Sequence, residues 1–166
     1  LAPADWSGLS LAVGVALADA LDPIDAGGRP RIGIKWPNDL WLLDPGGAAG
    51  SGRKLGGILI ETLSSSAKRL AVIGIGLNVA DCAAQLNFQA SSGFACLAEL
   101  DPAASPPHTL ARIALPLVLA LQQFERTGFS AFAEAFAARD LLRDCPITTT
   151  QVNTPQGIAR GVSDDG

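Results

Sequence analysis

An α+β fold, with helices packed on a mixed, mainly antiparallel sheet, is predicted by three observations. Apolar residues at helical spacing open the chain and return in its second half, and strand-like alternation fills the stretch between. Two of the alternating runs are joined by a polar link so short that the simplest connection is an antiparallel hairpin.

The elements follow in order. Asp5 or Ser7 caps a first helix whose apolar positions are Leu9, Val13, Ala16, Leu17 and Ala20, and which stops by Asp22-Pro23. Its small residues Gly8, Ala12, Gly14 and Ala16 let it lie close against a sheet. After a turn-rich link from Asp25 to Pro30, a first strand runs from Arg31 to Trp36, breaks at Pro37 and resumes from Leu40 to Leu43. Asp44 to Gly52 is a Gly/Ala-rich loop. A second strand spans Lys54 to Leu63, Ser64-Ser65-Ser66 turns, and a third strand spans Leu70 to Val79. Ala80 to Gly93 reads as a loop, followed by a short Ala95 to Leu100 segment and a proline-rich stretch from Asp101 to Pro107. His108 starts a helix that runs to Arg126, kinked or restarted at Pro116. The lone histidine is an exposed first-turn residue with no second ligand beside it. Phe129 to Leu142 is a further helix, with Phe129, Phe132 and Phe136 packing inward, and Ile147 to Val162 forms a final hairpin turning at Asn153 to Gln156.

Composition bounds the function. With 166 residues, 48 % of them hydrophobic, the chain can bury one core with at most a small appendage. A net charge of −4 and scattered cations argue against a nucleic-acid surface. No apolar run approaches the roughly 20 residues of a membrane span, and no signal peptide opens the chain. Cys82, Cys96 and Cys145 lack metal-ligand spacing and read as free thiols of a reducing, cytoplasmic compartment. A cytosolic chain that starts at Leu1 and has no methionine reads as an excised piece.

Alternation then points to a site. Ile32, Ile34 and Trp36 share one face and Gly33 and Lys35 the other; Lys54, Gly56, Ile58 and Ile60 share a face; Gly74, Gly76 and Asn78 lie opposite Ile73, Ile75, Leu77 and Val79. Each strand thus pairs glycine with one polar group. Tight helix packing with solvated lysines would explain any single strand, but three of them beside the Asn38-Asp39 turn read as a bare floor for a flat, anionic ligand.

Lys35-Trp36-Pro37-Asn38-Asp39-Leu40, Lys54-Leu55-Gly56-Gly57-Ile58-Leu59-Ile60-Glu61 and Gly74-Ile75-Gly76-Leu77-Asn78-Val79 resemble, in letters, order and spacing, the motifs of biotin protein ligases. The resemblance implies a class II synthetase-like catalytic domain over residues 1–144 and the first hairpin of an SH3-like domain over 145–166. It also implies a cytoplasmic enzyme that uses ATP and Mg2+ to join biotin to a lysine of a biotin carboxyl carrier protein through biotinoyl-AMP, with a homodimer among its partners. In that scheme Lys54 lies at the activated carboxyl and phosphate, Lys35 assists at the phosphates, and Asp39 holds the acceptor lysine or the magnesium, a duty Asn38 shares. Gly56, Gly57 and Gly76 form the floor under biotin, and Asn78 reads adenine or ribose. Trp36 is expected in the core beneath the sheet. The family's Gly/Arg-rich loop belongs upstream of the first helix, so this chain is expected to be a poor catalyst. A lipoate-type ligase or acyltransferase, and a biotin or nucleotide binder that does not turn over, are the alternatives.

Overall fold

The computed structural model describes residues 6–24, 28–65, 68–80, 93–150 and 152–166. Its centre is a four-stranded antiparallel sheet in sequence order: β1 (Ile32–Lys35), β2 (Asp39–Leu43), β3 (Gly52–Ser65) and β4 (Lys68–Leu77). The predicted first strand, broken at Pro37, is therefore two strands. Trp36 to Asn38 form the turn of a tight hairpin in which Lys35 pairs with Asp39. The antiparallel β3–β4 pairing was expected, and its register places Gly57 beside Gly76 and Leu59 beside Gly74.

Helix α1 (Leu9–Leu21) lies on one face of this sheet, buried over most of its surface because α2 (Pro106–Thr127) covers its other side. A Cβ built on Gly14 would sit 3.5 Å from Ile34 and 3.6 Å from Ile58, in ordinary van der Waals contact, which marks where the helix packs on the strands. The expected side-chain cap is not found: the N-cap position is Gly8, at φ 72°, a left-handed conformation that glycine adopts freely, and Asp5 lies outside the described residues. A substituent there would also strike the Phe129 ring.

Helix α2 continues through Pro116 without restarting. The stretch predicted as one helix from Phe129 to Leu142 starts as a 3-10 turn at Phe129–Phe132 and ends as α3 (Ala133–Arg139). Phe129, Phe132 and Phe136 pack as expected, joined by Phe124 of α2, with Phe129 and Phe136 edge to face at 6.0 Å. A short hairpin, β5 (Pro146–Thr148) and β6 (Gln156–Ile158), closes the chain, propped by Asp144–Ala159 and Ala159–Cys145 backbone bonds and by Val162 against the core. Cys96 and Cys145 are buried free thiols, while Cys82 and most of the predicted 80–93 loop fall outside the described residues. No helix among the described residues is long and apolar enough to cross a membrane.

Among the described residues, no helix lies on the second face of the sheet. Leu59, Leu63, Leu70, Val72 and the glycines of β4 are exposed there, and the candidate site occupies its β1–β2 end.

Candidate active site on the open face of the sheet

Sequence alternation alone puts Lys54 on the face of Gly56, Ile58 and Ile60. The structure corrects this. Leu40 pairs with Gly56 but the next residue, Trp41, pairs with Lys54, so Leu55 is the extra residue of a β-bulge. The bulge lets Leu55 and Ile58 both enter the core, 0 % and 2 % exposed, and turns Lys54 to the open face with Gly57. There Lys54 Nζ lies 2.6 Å from Asp39 Oδ1, and a Cβ on Gly57 would sit 3.2 Å from that oxygen and 3.6 Å from Nζ.

The two glycines of the second motif thus do different work. Gly57 and Gly76 leave bare backbone around the Lys54–Asp39 pair, whereas a Cβ on buried Gly56 would lie 2.4 Å from the Gly76 carbonyl oxygen. Gly56→Ala is therefore expected to unfold the β3–β4 junction, lowering the thermal midpoint sharply, since backbone cannot move aside without breaking the ladder. Gly57→Ala should fold with a midpoint near that of the parent and lose ligand affinity instead. Thermal denaturation and ligand titration of the two variants separate these outcomes.

Lys35 shares the open face but is held apart from the pair, its Nζ 4.1 Å from the centroid of the Trp41 ring. Trp41 was not singled out in the sequence, yet it is the aromatic residue of the site. It is 6 % exposed, and its indole nitrogen is buried with no hydrogen-bond acceptor among the described residues. Trp36, expected in the core, is instead 53 % exposed, because it belongs to the turn and not to a strand. It borders a cleft of about 320 Å3 shared with Asp140, Leu142, Ile147 and Val162. Burial raises the Asp140 carboxyl above the usual carboxylate range, against the opposing bond from the Leu142 amide.

The two asparagines are both committed through their NH2 groups. Asn38 Nδ2 donates to Ile58 O at 2.9 Å, and the Ile58 amide donates back to Asn38 O at 2.9 Å, fixing the turn onto β3. Asn78, one residue beyond β4, donates through Nδ2 to Ala95 O at 3.1 Å and Lys54 O at 3.4 Å. Among the described residues, neither Oδ1 accepts a hydrogen bond.

A metal would find little protein to hold it. Among the described residues no three His, Cys, Asp or Glu side chains cluster, and one oxygen of Asp39 is already taken by Lys54. A magnesium ion fits this site if it is carried by nucleotide phosphates, with at most the second Asp39 oxygen from the chain.

Comparison with known proteins agrees with this fold. Residues 3–78 match the model of the biotin/lipoate A/B protein ligase family. The bifunctional ligase/repressor BirA of Salmonella typhimurium is 31 % identical over 99 % of this chain and 48 % of its own length. The biotin–[acetyl-CoA-carboxylase] ligase of Mycobacterium tuberculosis is 33 % identical over 97 % of this chain and 55 % of its own length. The chain thus spans about half the length of these curated relatives. Among solved structures, biotin protein ligase from Aquifex aeolicus superposes with a TM-score of 0.73 at 21 % identity, over 99 % of this chain and 68 % of that one. The same enzyme in complex with biotin and ATP gives 0.71 at 20 % identity, over 99 % and 65 %. Motifs, sheet and relatives agree: residues 3–78 match the biotin/lipoate A/B protein ligase family, and nearly the whole chain is similar to biotin ligases.

Proposed function

We propose that this chain carries the chemistry of an ATP-dependent biotin ligase. The biotin carboxylate attacks the α-phosphate of ATP, pyrophosphate leaves, and biotinoyl-AMP forms; a lysine amine of a biotin carboxyl carrier protein then displaces AMP to give the amide. The observation that carries this reading is the Lys54–Asp39 pair, 2.6 Å apart over the bare backbone of Gly57. Two anions, carboxylate and phosphate, must meet in the first step, and a cation fixed at their meeting point offsets their repulsion and the charge that grows on the phosphoryl oxygens.

Asp39 orients Lys54 during adenylation. In the second step its carboxylate stands where an incoming ammonium would be held and relieved of its proton. Lys35, braced on the Trp41 ring, supplies a further cation for the phosphates. Magnesium, when bound with ATP, would neutralise phosphate charge. Asn78, whose NH2 group is committed to Ala95 O, offers its acceptor oxygen, which suits the amino group of adenine and leaves the guanine carbonyl facing another acceptor, while Asn38 shares the duty of Asp39. The names of the mycobacterial and Aquifex relatives support biotin and ATP as substrates.

The test combines pyrophosphate release with calorimetric titration of a non-hydrolysable biotinoyl-AMP analogue. Biotin with ATP should support adenylate formation, and GTP should do so at least about tenfold less well, because the site's acceptors would be left unpaired. A preference for lipoate would assign the chain to lipoate ligation. Analogue binding without any turnover would make it a binder of the adenylate only, and no binding at all would remove the proposal.

A further inference from the structure

Beside the site lies a polar cluster to which no role has been given. Arg53 Nη1 donates to Glu99 Oε1 at 3.0 Å and to Phe94 O at 3.1 Å, Nη2 donates to Glu99 Oε2, and Glu99 Oε1 also accepts from the Cys96 amide at 3.0 Å. Their mutual hydrogen bonding raises the Arg53 guanidinium and lowers the Glu99 carboxyl relative to their ordinary values. Both side chains are more than one-third exposed, at 38 % and 37 %, and exposed pairs add little to global stability. Their geometry is nevertheless bidentate and specific.

What the pair holds is the neighbour of Lys54. The β3–β4 ladder stops at Gly56 opposite Leu77, so from Lys54 backward β3 would have a bare edge on that side. The segment 93–95 fills it. Lys54 N donates to Gly93 O at 3.4 Å, Ala95 N donates to Lys54 O at 2.9 Å, and Phe94 lies parallel to Lys54 as its bridge partner. This is also the point where the bulge sets which face Lys54 takes. A bulge held by strands on both sides has one register; one with a free edge can slip, and a slip turns the side chain to the other face.

We infer that Arg53 and Glu99 are positioning residues for Lys54: their pair clamps segment 93–95 onto β3, fixes the bulge, and so keeps the Lys54 ammonium beside Asp39 on the open face. The inference rests on the reading that Lys54 acts on the activated carboxyl, but the position of Lys54 can be measured without it.

The experiment places Arg53→Ala and Glu99→Gln in the parent chain and in Lys54→Ala, and measures adenylate formation from biotin and ATP. In ligand-free protein it also measures acylation of Lys54 by an N-hydroxysuccinimide ester, read by peptide mass spectrometry. In the parent, each substitution should lower the adenylation kcat about tenfold with little change in the KM for ATP, as a misplaced cation does. On the Lys54→Ala background neither should have any further effect, and the rate of Lys54 acylation should change in both single variants as its pair with Asp39 is lost. Equal slowing in both backgrounds, or unchanged Lys54 acylation, would overturn the inference. If Arg53→Ala does not fold, Glu99→Gln carries the same comparison. If the parent forms no adenylate, the ligase reading fails, while the acylation rates still decide whether the clamp positions Lys54.

Discussion

Lys54→Ala is expected to lower adenylate formation by about 10²- to 10³-fold, the usual effect of removing one fixed donor from developing transition-state charge. Affinity for the biotinoyl-AMP analogue should fall with it. The fold should not. Lys54 is 39 % exposed and its pair with Asp39 is open to water on one side, so its loss is expected to change stability by less than about 1 kcal/mol. This separation of activity from stability is what distinguishes a catalytic cation from a structural one. Lys54→Arg should recover little: the planar guanidinium prefers to grip Asp39 with two parallel bonds and would draw its charge away from the ligand side. Rapid-quench measurement of biotinoyl-AMP, paired with thermal denaturation of each variant, checks both halves. A Lys54→Ala chain that forms adenylate within about threefold of the parent would show that the carboxyl and phosphate do not meet at this pair.

How far this site could be read in the sequence depended on which physical signal each residue leaves there. The motif residues Lys35, Asn38, Asp39, Lys54, Gly57 and Gly76 stand out because cations, an amide and strand glycines are expensive to place together without use. The antiparallel β3–β4 ribbon was legible from its short link. The bulge at Leu55 was not, because one extra residue in a strand leaves an ordinary apolar letter and shifts the face of everything before it. That single residue accounts for the misplaced face of Lys54, whereas Gly56 was grouped with Gly57 by the motif and not by alternation. Trp36 was read as core because Pro37 looked like a break within one strand, when the chain reverses there and Trp41 takes the aromatic position under Lys35. Contacts that depend on distant segments meeting, such as Arg53 with Glu99, leave no periodic trace at all.

Arg139 belongs with these unseen residues, and replacing it should have the largest effect on the fold. Its side chain is fully buried, and it ends α3 where a lone arginine reads in sequence as an ordinary solvated cation near a helix terminus. In the structure Nε donates to Asp19 Oδ1 at 2.8 Å, Nη1 to Asp22 Oδ2 at 3.2 Å and to Ile32 O at 2.9 Å, and Nη2 to Asp22 O. Asp22 Oδ2 accepts in turn from the amides of Arg31 and Ile32 at 2.8 and 2.9 Å, so one carboxylate ties the end of α1 to the start of β1. Arg139→Ala would leave Asp22, half-buried, without its cation, and would remove the side-chain donor to the Ile32 carbonyl. Removing one member of a buried pair in this way costs about 3–5 kcal/mol, a large share of the roughly 5–15 kcal/mol that stabilises a typical domain. Arg139→Lys should recover only part of this, since an ammonium cannot serve two carboxylates and two carbonyls from one planar fork. Asp19→Asn, at the 53 % exposed arm of the cluster, should cost no more than about 1 kcal/mol. Urea unfolding of the three variants orders them, and hydrogen exchange at the Ile32 and Ile34 amides should quicken first, because the cluster fixes the strand from which Lys35 rises. An Arg139→Ala midpoint no lower than that of Asp19→Asn would mean that the apolar packing of α1, and not this charge cluster, joins helix to sheet.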